Sequence, residues 1–294
     1  MSAEKHKLEG NLANCLIIGA QKCATSSLFH YLSFHPNVIA SAHKELNFFN
    51  EELCWDKGLN WYKSNFVGKA KIYLEASPSY TNYPLYKGVA KRMHSLIPQA
   101  KLIYIVRDPI ERLISQYLDR VKGGQETLAI EDAFVEGEDS VYIDFSKYYM
   151  QLEQFLNYYP KESFLILTAE ELKNKRRETL KRAFRFLNID DDFYCDEFSD
   201  LINVSRGKLK RKKPRRIVRY FAHGPKKKTS FSKLGYAMIP KILKDKALES
   251  TKTGQKVYRP LLSEDLRNKL IEALRADIAK LREFSGCSFS QWCL

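Results

Sequence analysis

The chain has 294 residues, 44% of them hydrophobic, which is enough to bury the core of one large α/β domain or two small ones. No apolar run approaches the roughly 18–20 residues that cross a bilayer, and residues 1–10 lack a signal-peptide pattern, so we expect a cytoplasmic protein. The formal net charge is +14, but residues 201–244 hold 15 Lys and Arg and no Asp or Glu, which leaves 34 basic and 35 acidic residues elsewhere. This distribution indicates a nearly neutral body with one basic segment, and a basic charge of that origin is not evidence for a nucleic-acid-binding domain.

Strand and helix patterns alternate along the chain. Strands are predicted at 15–19, within 35–41, and at 71–77, 101–106 and 164–169. Helices are predicted at about 25–34, 86–97, after Pro109 to about 122, and at 146–159, 174–187 and 263–285. This order predicts an α/β fold with a central, mostly parallel sheet flanked by helices, built as one domain over residues 1–294. Ligands of such sheets bind at the carboxyl ends of the strands.

Residues 15–28, CLIIGAQKCATSSL, have the pattern of a strand, a small-residue turn and a helix N-terminus. The backbone N–H groups of such a turn and the helix dipole favour an anion, so we predict a P-loop-like phosphate-binding loop. A kinase would carry G-x-x-x-x-G-K-[ST], whereas Lys22 comes early here and Ala24 replaces the second glycine. The loop therefore differs in detail from an ATP site. Cys23 lies within it, either as a reactive thiol or as a small space-filling side chain.

Two further motifs follow predicted strands. Arg107 lies at the end of one strand, and Ser115 is about two turns into the next helix, an arrangement that suits a second phosphate group. The alternative is that Arg107 pairs with Asp108 or Glu111 and only ties the loop together. The third motif, KELNFF at residues 44–49, places a carboxylate beside two aromatic rings. All three motifs are expected at one edge of the sheet.

Together these motifs resemble the sulfotransferases that use 3′-phosphoadenosine 5′-phosphosulfate (PAPS), most closely the carbohydrate branch that includes the heparan sulfate sulfotransferases. Residues 17–38 resemble the family's 5′-phosphosulfate loop, and residues 105–117, IVRDPIERLISQY, resemble its 3′-phosphate motif. KELNFFN followed by Trp61-Tyr62 is similar to the acidic, aromatic and W-Y elements of that branch. The resemblance covers about 14–190 and 258–292. It implies sulfuryl transfer from PAPS to a hydroxyl of a saccharide or glycolipid, without a metal.

The resemblance implies a role for each residue of the two phosphate motifs. Lys22 would contact the phosphosulfate and stabilise charge on the leaving phosphate. Arg107 and Ser115 would hold the 3′-phosphate. The 5′ side would be cradled by the backbone N–H groups of Cys23, Ala24, Thr25, Ser26 and Ser27. The hydroxyl groups of the last three residues would contribute as well.

Glu45 would be the general base that takes the proton of the acceptor hydroxyl. His43 is the rival candidate, because histidine is the base in the cytosolic small-molecule branch. A third interpretation makes Glu45 an ordinary salt-bridge partner of Lys44 or another cation.

Two positions depart from the family pattern. Ala24 replaces the usual loop glycine, which is tolerable if its φ is negative. EASPSY at 75–80 resembles the family's E-K-x-P-x-Y segment, but Ala76 stands where the heparan sulfate enzymes carry a lysine. We therefore expect an acceptor other than heparan sulfate.

The basic segment at 201–246 has three interpretations. It is a lid over the nucleotide, with Arg206 and Lys208 near the 3′-phosphate, or a solvated charged face. Alternatively, residues 208–228 contact an anionic membrane surface, because basic and apolar residues alternate there.

Two other functions remain open at this point. One is a nucleotide-dependent kinase, although no Walker-B-like carboxylate ends a predicted strand. The other is a polyanion-binding protein on a sulfotransferase fold without activity. No specific nucleic-acid partner is expected, and the sequence leaves the oligomeric state open.

Overall fold

The structure is a computed structural model that describes residues 10–135, 141–199, 209–211, 252–256 and 259–294. The chain divides into two compact units. The first comprises Met1–Leu113, Glu136–Val204 and Ser263–Leu294, and the second comprises Ile114–Val135 and Ser205–Leu262. The single domain with a basic lid at 201–246 stays a prediction. Arg206 and Lys208 lie outside the described residues, as does most of the predicted membrane-contact segment.

A five-stranded parallel sheet forms the centre of the first unit. Its strands are β1 (Cys15–Gly19), β2 (Val38–Ala40), β3 (Ile72–Ala76), β4 (Lys101–Val106) and β5 (Phe164–Thr168). They lie in the order β2-β3-β1-β4-β5, and every neighbouring pair is parallel. The predicted α/β fold with a mostly parallel central sheet is therefore confirmed.

Ten α-helices are present among the described residues. They are α1 (Thr25–Ser33), α2 (Gly58–Lys63), α3 (Val89–Leu96), α4 (Pro109–Lys122), α5 (Ile130–Val135), α6 (Val141–Asp144), α7 (Tyr148–Leu156), α8 (Ala169–Asn174), α9 (Arg176–Leu187) and α10 (Glu264–Ser285). None of the helices within the described ranges combines the length and apolarity needed to span a membrane.

The sheet is buried because helices cover both of its faces. Ile103 and Ile105 of β4 belong to a core cluster that also contains residues of α1 and α9. The intervening Tyr104 points to the other face, where its ring lies 6.0 Å from that of Tyr148 in α7. Helix α10 packs against α7 on that side. Burial on both faces explains why the central strands are continuous apolar runs without alternation.

Three helices differ from their predicted bounds by two or three residues, and one of them is α7, which was predicted at 146–159 and spans Tyr148–Leu156. The helix predicted at 86–97 begins only at Val89, because Gly88 precedes it in a left-handed conformation with φ +69°. The predicted helix 174–187 is α9, and a separate helix, α8, comes directly before it. Helix α8 begins with a capping box in which Thr168 and Glu171 satisfy each other's backbone N–H groups.

The second unit contains the end of α4, helix α5 and a two-stranded antiparallel sheet. Strands β6 (Leu209–Arg211) and β7 (Lys252–Lys256) pair Leu209 with Lys256 and Arg211 with Lys252. The hydroxyl of Tyr117 donates to the carbonyl of Leu128 at 2.9 Å and joins α4 to the segment before α5.

Candidate functional site

Three motifs meet at the carboxyl edge of the parallel sheet, as the sequence predicted. The β1 loop (residues 20–24) leaves the central strand, and Arg107 directly follows β4 on one side of it. On the other side, β3 runs into residues 77–81, and β2 runs into residues 41–50, which we call the β2 loop. Neighbouring strands in a sheet are about 4.8 Å apart, so the strand order puts the β1 loop between Arg107 and the β2 loop.

The β1 loop presents an uncapped helix N-terminus. Ala24 is the N-cap of α1, no side chain caps the helix there, and its first turn contains no acidic residue. The first backbone N–H groups of a helix have no partner within the helix and carry the positive end of its dipole. Lys22 stands two residues before this N-cap. Such an end suits an anion, and the predicted hydroxyls of Thr25, Ser26 and Ser27 lie in the first turn of α1.

The backbone of this loop is strained at the position where the sequence departs from the family. Ala24 has φ +64° and Lys22 has φ +69°. The expectation that Ala24 would be tolerated rested on a negative φ, and that condition is not met. A non-glycine residue in this region costs about 1 kcal/mol because its Cβ crowds the backbone.

Close packing fixes where the β1 loop starts. A Cβ on Gly19 would lie 1.9 Å from Oγ1 of Thr81, so only glycine fits. The next residue, Ala20, donates its backbone N–H to the carbonyl of Ile105 at 2.7 Å. Cys23 is fully buried, and burial raises the pKa of its thiol to about 11. The thiol is therefore neutral near pH 7, which favours the space-filling interpretation of Cys23 over the reactive one.

On the β4 side, Arg107 contacts a carboxylate in the first turn of α4. One of its guanidinium nitrogens lies 3.3 Å from the carboxylate of Glu111, and both side chains are about one-third exposed. Asp108 instead caps α4 by accepting the N–H of Glu111 at 3.0 Å, and its second oxygen accepts the N–H of Cys293 at 2.9 Å. The alternative role of Arg107 thus exists as a pair with Glu111. A partly exposed pair of this kind contributes little free energy, about 0–1 kcal/mol.

A buried tyrosine that no sequence motif indicated joins the two phosphate motifs. The hydroxyl of Tyr148 donates to the carbonyl of Arg107 at 2.8 Å and lies 3.6 Å from the sulfur of Cys23. The carboxylate of Asp277 in α10 holds the start of α7, because it accepts hydrogen bonds from the backbone N–H groups of Tyr149 and Met150 at 2.9 and 2.8 Å. Tyr148 therefore couples the β1 loop to the end of β4.

The other polar residues of the 3′-phosphate motif lie in two different places. Arg112 is fully buried, with Nε donating to Oγ of Ser146 at 2.5 Å and Nη2 to the carbonyl of Tyr142 at 2.7 Å. It joins α4 to α6 and the start of α7. Ser115 lies further along α4 in the second unit, and its approach to Arg107 stays a prediction.

On the β3 side, Glu45 lies in the β2 loop with a side chain that is 55% exposed. One of its carboxylate oxygens is 2.6 Å from Nζ of Lys44, so the salt bridge that the sequence allowed is present. His43, the rival base, is also exposed, and its carbonyl accepts the hydroxyl of Ser41 at 2.8 Å. The structure thus places both candidate bases at the same edge of the sheet.

The β2 loop is held by hydrogen bonds and aromatic packing. Glu45, with φ +65°, donates its N–H to the carbonyl of Ala76 at 2.9 Å. Asn47, with φ +51°, donates its side-chain amide to the carbonyl of Glu45 at 3.0 Å. The ring of Phe48 is buried and stacks on that of Tyr62, with centroids 4.4 Å apart. Next to the loop lies Glu75, the fully buried first residue of the EASPSY segment, to which the sequence analysis assigned no role. Among the described residues no cluster of His, Cys, Asp and Glu has the arrangement of a metal site.

Comparison with known proteins decides the family. A family model described as the sulfotransferase domain matches residues 12–285, which is most of the chain. The chain belongs to this sulfotransferase family. The resemblance that the motifs indicated is thereby confirmed.

The curated relatives of this sulfotransferase include heparan sulfate enzymes. The chain is 29% identical over 223 residues to heparan sulfate glucosamine 3-O-sulfotransferase 5 of Mus musculus, covering 67% of this chain and 63% of the relative. It is 32% identical over 184 residues to heparan sulfate glucosamine 3-O-sulfotransferase 6 of Homo sapiens, covering 59% and 52%. The chain thus spans less than two thirds of the length of these curated relatives.

A solved structure supports the same fold. The crystal structure of a sulfotransferase from Alicyclobacillus acidocaldarius superposes with a TM-score of 0.68 at 22% identity. The superposition covers 96% of this chain and 99% of that one.

Proposed function

We propose that this sulfotransferase transfers a sulfuryl group from PAPS to a hydroxyl group of a saccharide acceptor. The observation that carries the proposal is the uncapped N-terminus of α1 behind Lys22, which lies between Arg107 on one side and Glu45 on the other. The relatives' names support a sugar as acceptor, since both are glucosamine 3-O-sulfotransferases of heparan sulfate.

The residues of the β1 loop fit the donor's phosphosulfate end. A helix N-terminus without a side-chain cap and without an acidic residue in its first turn suits an anion. The backbone N–H groups from Ala24 to Ser27, with the hydroxyls of Thr25, Ser26 and Ser27, would hold the 5′ side, and Arg107 with Ser115 would hold the 3′-phosphate. The N–H of Cys23, which was predicted to join them, donates instead to the carbonyl of Ala20 at 3.2 Å. Bound PAPS supplies an activated sulfuryl group and a phosphate leaving group. The weak contact of Arg107 with Glu111 competes poorly with a phosphate dianion.

Sulfuryl transfer needs a general base for the acceptor hydroxyl, a cation near the leaving phosphate and alignment of the reacting atoms. As the acceptor oxygen forms its bond to sulfur, its proton passes to the Glu45 carboxylate and the bond from sulfur to the bridging phosphate oxygen breaks. The Lys22 ammonium stabilises the negative charge that remains on the departing phosphate.

The acceptor is proposed to differ from heparan sulfate. Ala76 replaces the lysine that the heparan sulfate enzymes carry at this position, so the cation they would place there is missing. A saccharide or a glycolipid headgroup fits this pattern. The cytoplasmic location and the membrane contact through residues 208–228 stay predictions.

Two measurements test this function. Calorimetry should show that the protein binds adenosine 3′,5′-bisphosphate, and a screen of saccharides and glycolipids with sulfur-35-labelled PAPS should find an acceptor that becomes labelled. Magnesium-dependent ATP turnover would instead support the kinase. Salt-sensitive binding of polyanions without binding of the bisphosphate would support a protein without catalytic activity.

A further inference from the structure

Glu75 lies at the carboxyl end of β3, and its carboxyl group is fully buried. Three hydroxyl groups form hydrogen bonds with it. Tyr62 donates to one of its oxygens at 2.5 Å, and Tyr80 and Ser77 donate to the other at 2.5 and 2.7 Å. Burying a carboxylate is costly unless hydrogen bonds compensate for the lost water. Three hydroxyl donors on this one carboxyl supply that compensation.

Each of the three hydroxyl residues also touches the β2 loop. Oγ of Ser77 accepts the backbone N–H of Asn47 at 3.0 Å. The hydroxyl of Tyr80 accepts the N–H of Phe49 at 3.4 Å. The ring of Tyr62 stacks on that of Phe48. The carboxyl thus reaches three consecutive residues of the loop through one intermediary each.

The ionised form of Glu75 fixes the direction of these hydrogen bonds. A carboxylate only accepts, so all three hydroxyl protons point towards it. The lone pairs of Ser77 and Tyr80 are then turned to the loop's N–H groups. Burial raises the pKa of Glu75, while the three hydroxyl bonds act in the opposite direction by favouring the ionised form.

We propose that Glu75 is a positioning residue for Glu45: through Ser77, Tyr80 and Tyr62 it holds the β2 loop in the conformation that presents the base. The left-handed backbone of Glu45 is strained and needs such external support. The catalytic part of this inference rests on the proposed function, whereas the anchoring of the loop does not.

The anchoring is tested by hydrogen exchange of the peptide that covers residues 44–50. Ser77→Ala removes the acceptor of the Asn47 N–H, and Tyr80→Phe removes that of the Phe49 N–H. Both should increase exchange in this peptide by about tenfold and leave the peptide of α1 unchanged. Tyr73→Phe is the matched control. Tyr73 lies on β3, as Glu75 does, but its hydroxyl forms hydrogen bonds with the backbone of Gly68 and Ala70. Unchanged exchange in both variants would overturn the anchoring.

Kinetics test the link to the base. Ser77→Ala should lower kcat about tenfold, because small displacements of a catalytic group are costly, and leave the affinity for adenosine 3′,5′-bisphosphate unchanged. In a Glu45→Gln background the same substitution should lower kcat no further, because the group that it displaces is already lost. An equal loss in both backgrounds would overturn the positioning role.

The two proposals fail in different ways. Full activity of the single variant Glu45→Gln would overturn the proposed base and with it the catalytic part of this inference. The exchange rates of residues 44–50 in Ser77→Ala and Tyr80→Phe would then still decide whether the hydroxyls bound to Glu75 anchor the loop.

Discussion

The β1 loop and the β2 loop both contain residues with positive φ, yet they are held by different means. The β1 loop is fixed by its backbone, by the tight packing of Gly19 and by the helix that follows it. The β2 loop rests on hydroxyl groups that converge on the buried carboxyl of Glu75. A loop that binds its ligand through backbone N–H groups keeps these groups when most of its side chains are substituted. A loop that is held by individual side-chain hydroxyls loses a hydrogen bond when one of those residues is substituted.

The largest effect is expected from the one charged side chain of the β1 loop. Lys22→Ala should lower turnover about 10²- to 10³-fold, because it removes the cation that stabilises the leaving phosphate. Calorimetry should also show weaker binding of adenosine 3′,5′-bisphosphate. Lys69→Ala is the control, since Lys69 is exposed and precedes β3, whose carboxyl end carries the site. Unchanged affinity and turnover in Lys22→Ala would contradict the placement of the phosphosulfate.

On the β2 loop, Glu45→Gln should lower kcat about 10²-fold, because it removes a general base, without changing affinity for adenosine 3′,5′-bisphosphate. The effect is read from initial rates with labelled PAPS and a saturating acceptor. His43→Gln serves as the comparison variant and should keep nearly full activity. If the two variants show the reverse pattern, the base is His43.

The strain in the β1 loop predicts a gain in stability. Ala24→Gly should raise the free energy of unfolding by about 0.5–1 kcal/mol, because glycine adopts a positive φ without a Cβ clash. This corresponds to a rise of about 2 °C in Tm, measured by calorimetry. Ala70→Gly is the control at a residue without positive φ and should not stabilise the protein. A lower Tm for Ala24→Gly would argue against the left-handed conformation.

The smallest effect concerns the buried thiol of the β1 loop. With a pKa of about 11, Cys23 has about 100-fold less thiolate at pH 8 than a thiol at the ordinary value of 9.0. Iodoacetamide should therefore leave Cys23 unmodified while the partly exposed Cys54 reacts, as followed by peptide mass spectrometry. Because the folded pKa is raised, this thiol's contribution to stability is present below pH 9 and is lost as the pH rises towards 11. Rapid labelling of Cys23 at pH 8 would contradict its burial.

Much of the fold could be predicted because strands buried on both faces are continuous apolar runs. The predicted bounds of β1 and β4 agree with the structure at both ends. The long C-terminal helix was also predicted to within one residue, since Ser263 is a recognisable N-cap. Helix α8 was missed because β5 leads straight into it, without a loop that would mark the boundary.

The candidate site could be predicted only where residues act close together in sequence. The motifs around Lys22, Arg107 and Glu45 are local, and the parallel sheet brings them to one edge. Tyr148 was missed because its partner Cys23 is 125 residues away. Glu75 stands in the segment similar to E-K-x-P-x-Y, but its role was missed because the segment alone shows neither its burial nor its hydrogen bond to Tyr62.

The aromatic residues at the two ends of the site give the protein its own optical reporters. Trp292 is almost fully buried, and its ring lies 6.0 Å from that of Tyr148, whose hydroxyl binds the Arg107 carbonyl. Trp55 and Trp61 instead border the ring of Phe48 in the β2 loop. The fluorescence of an indole ring depends on its surroundings. In variants that keep one tryptophan, Trp292 should therefore report binding of the nucleotide, and Trp55 or Trp61 should report binding of the acceptor. The order in which the two substrates bind is thus accessible to stopped-flow fluorescence without any added dye.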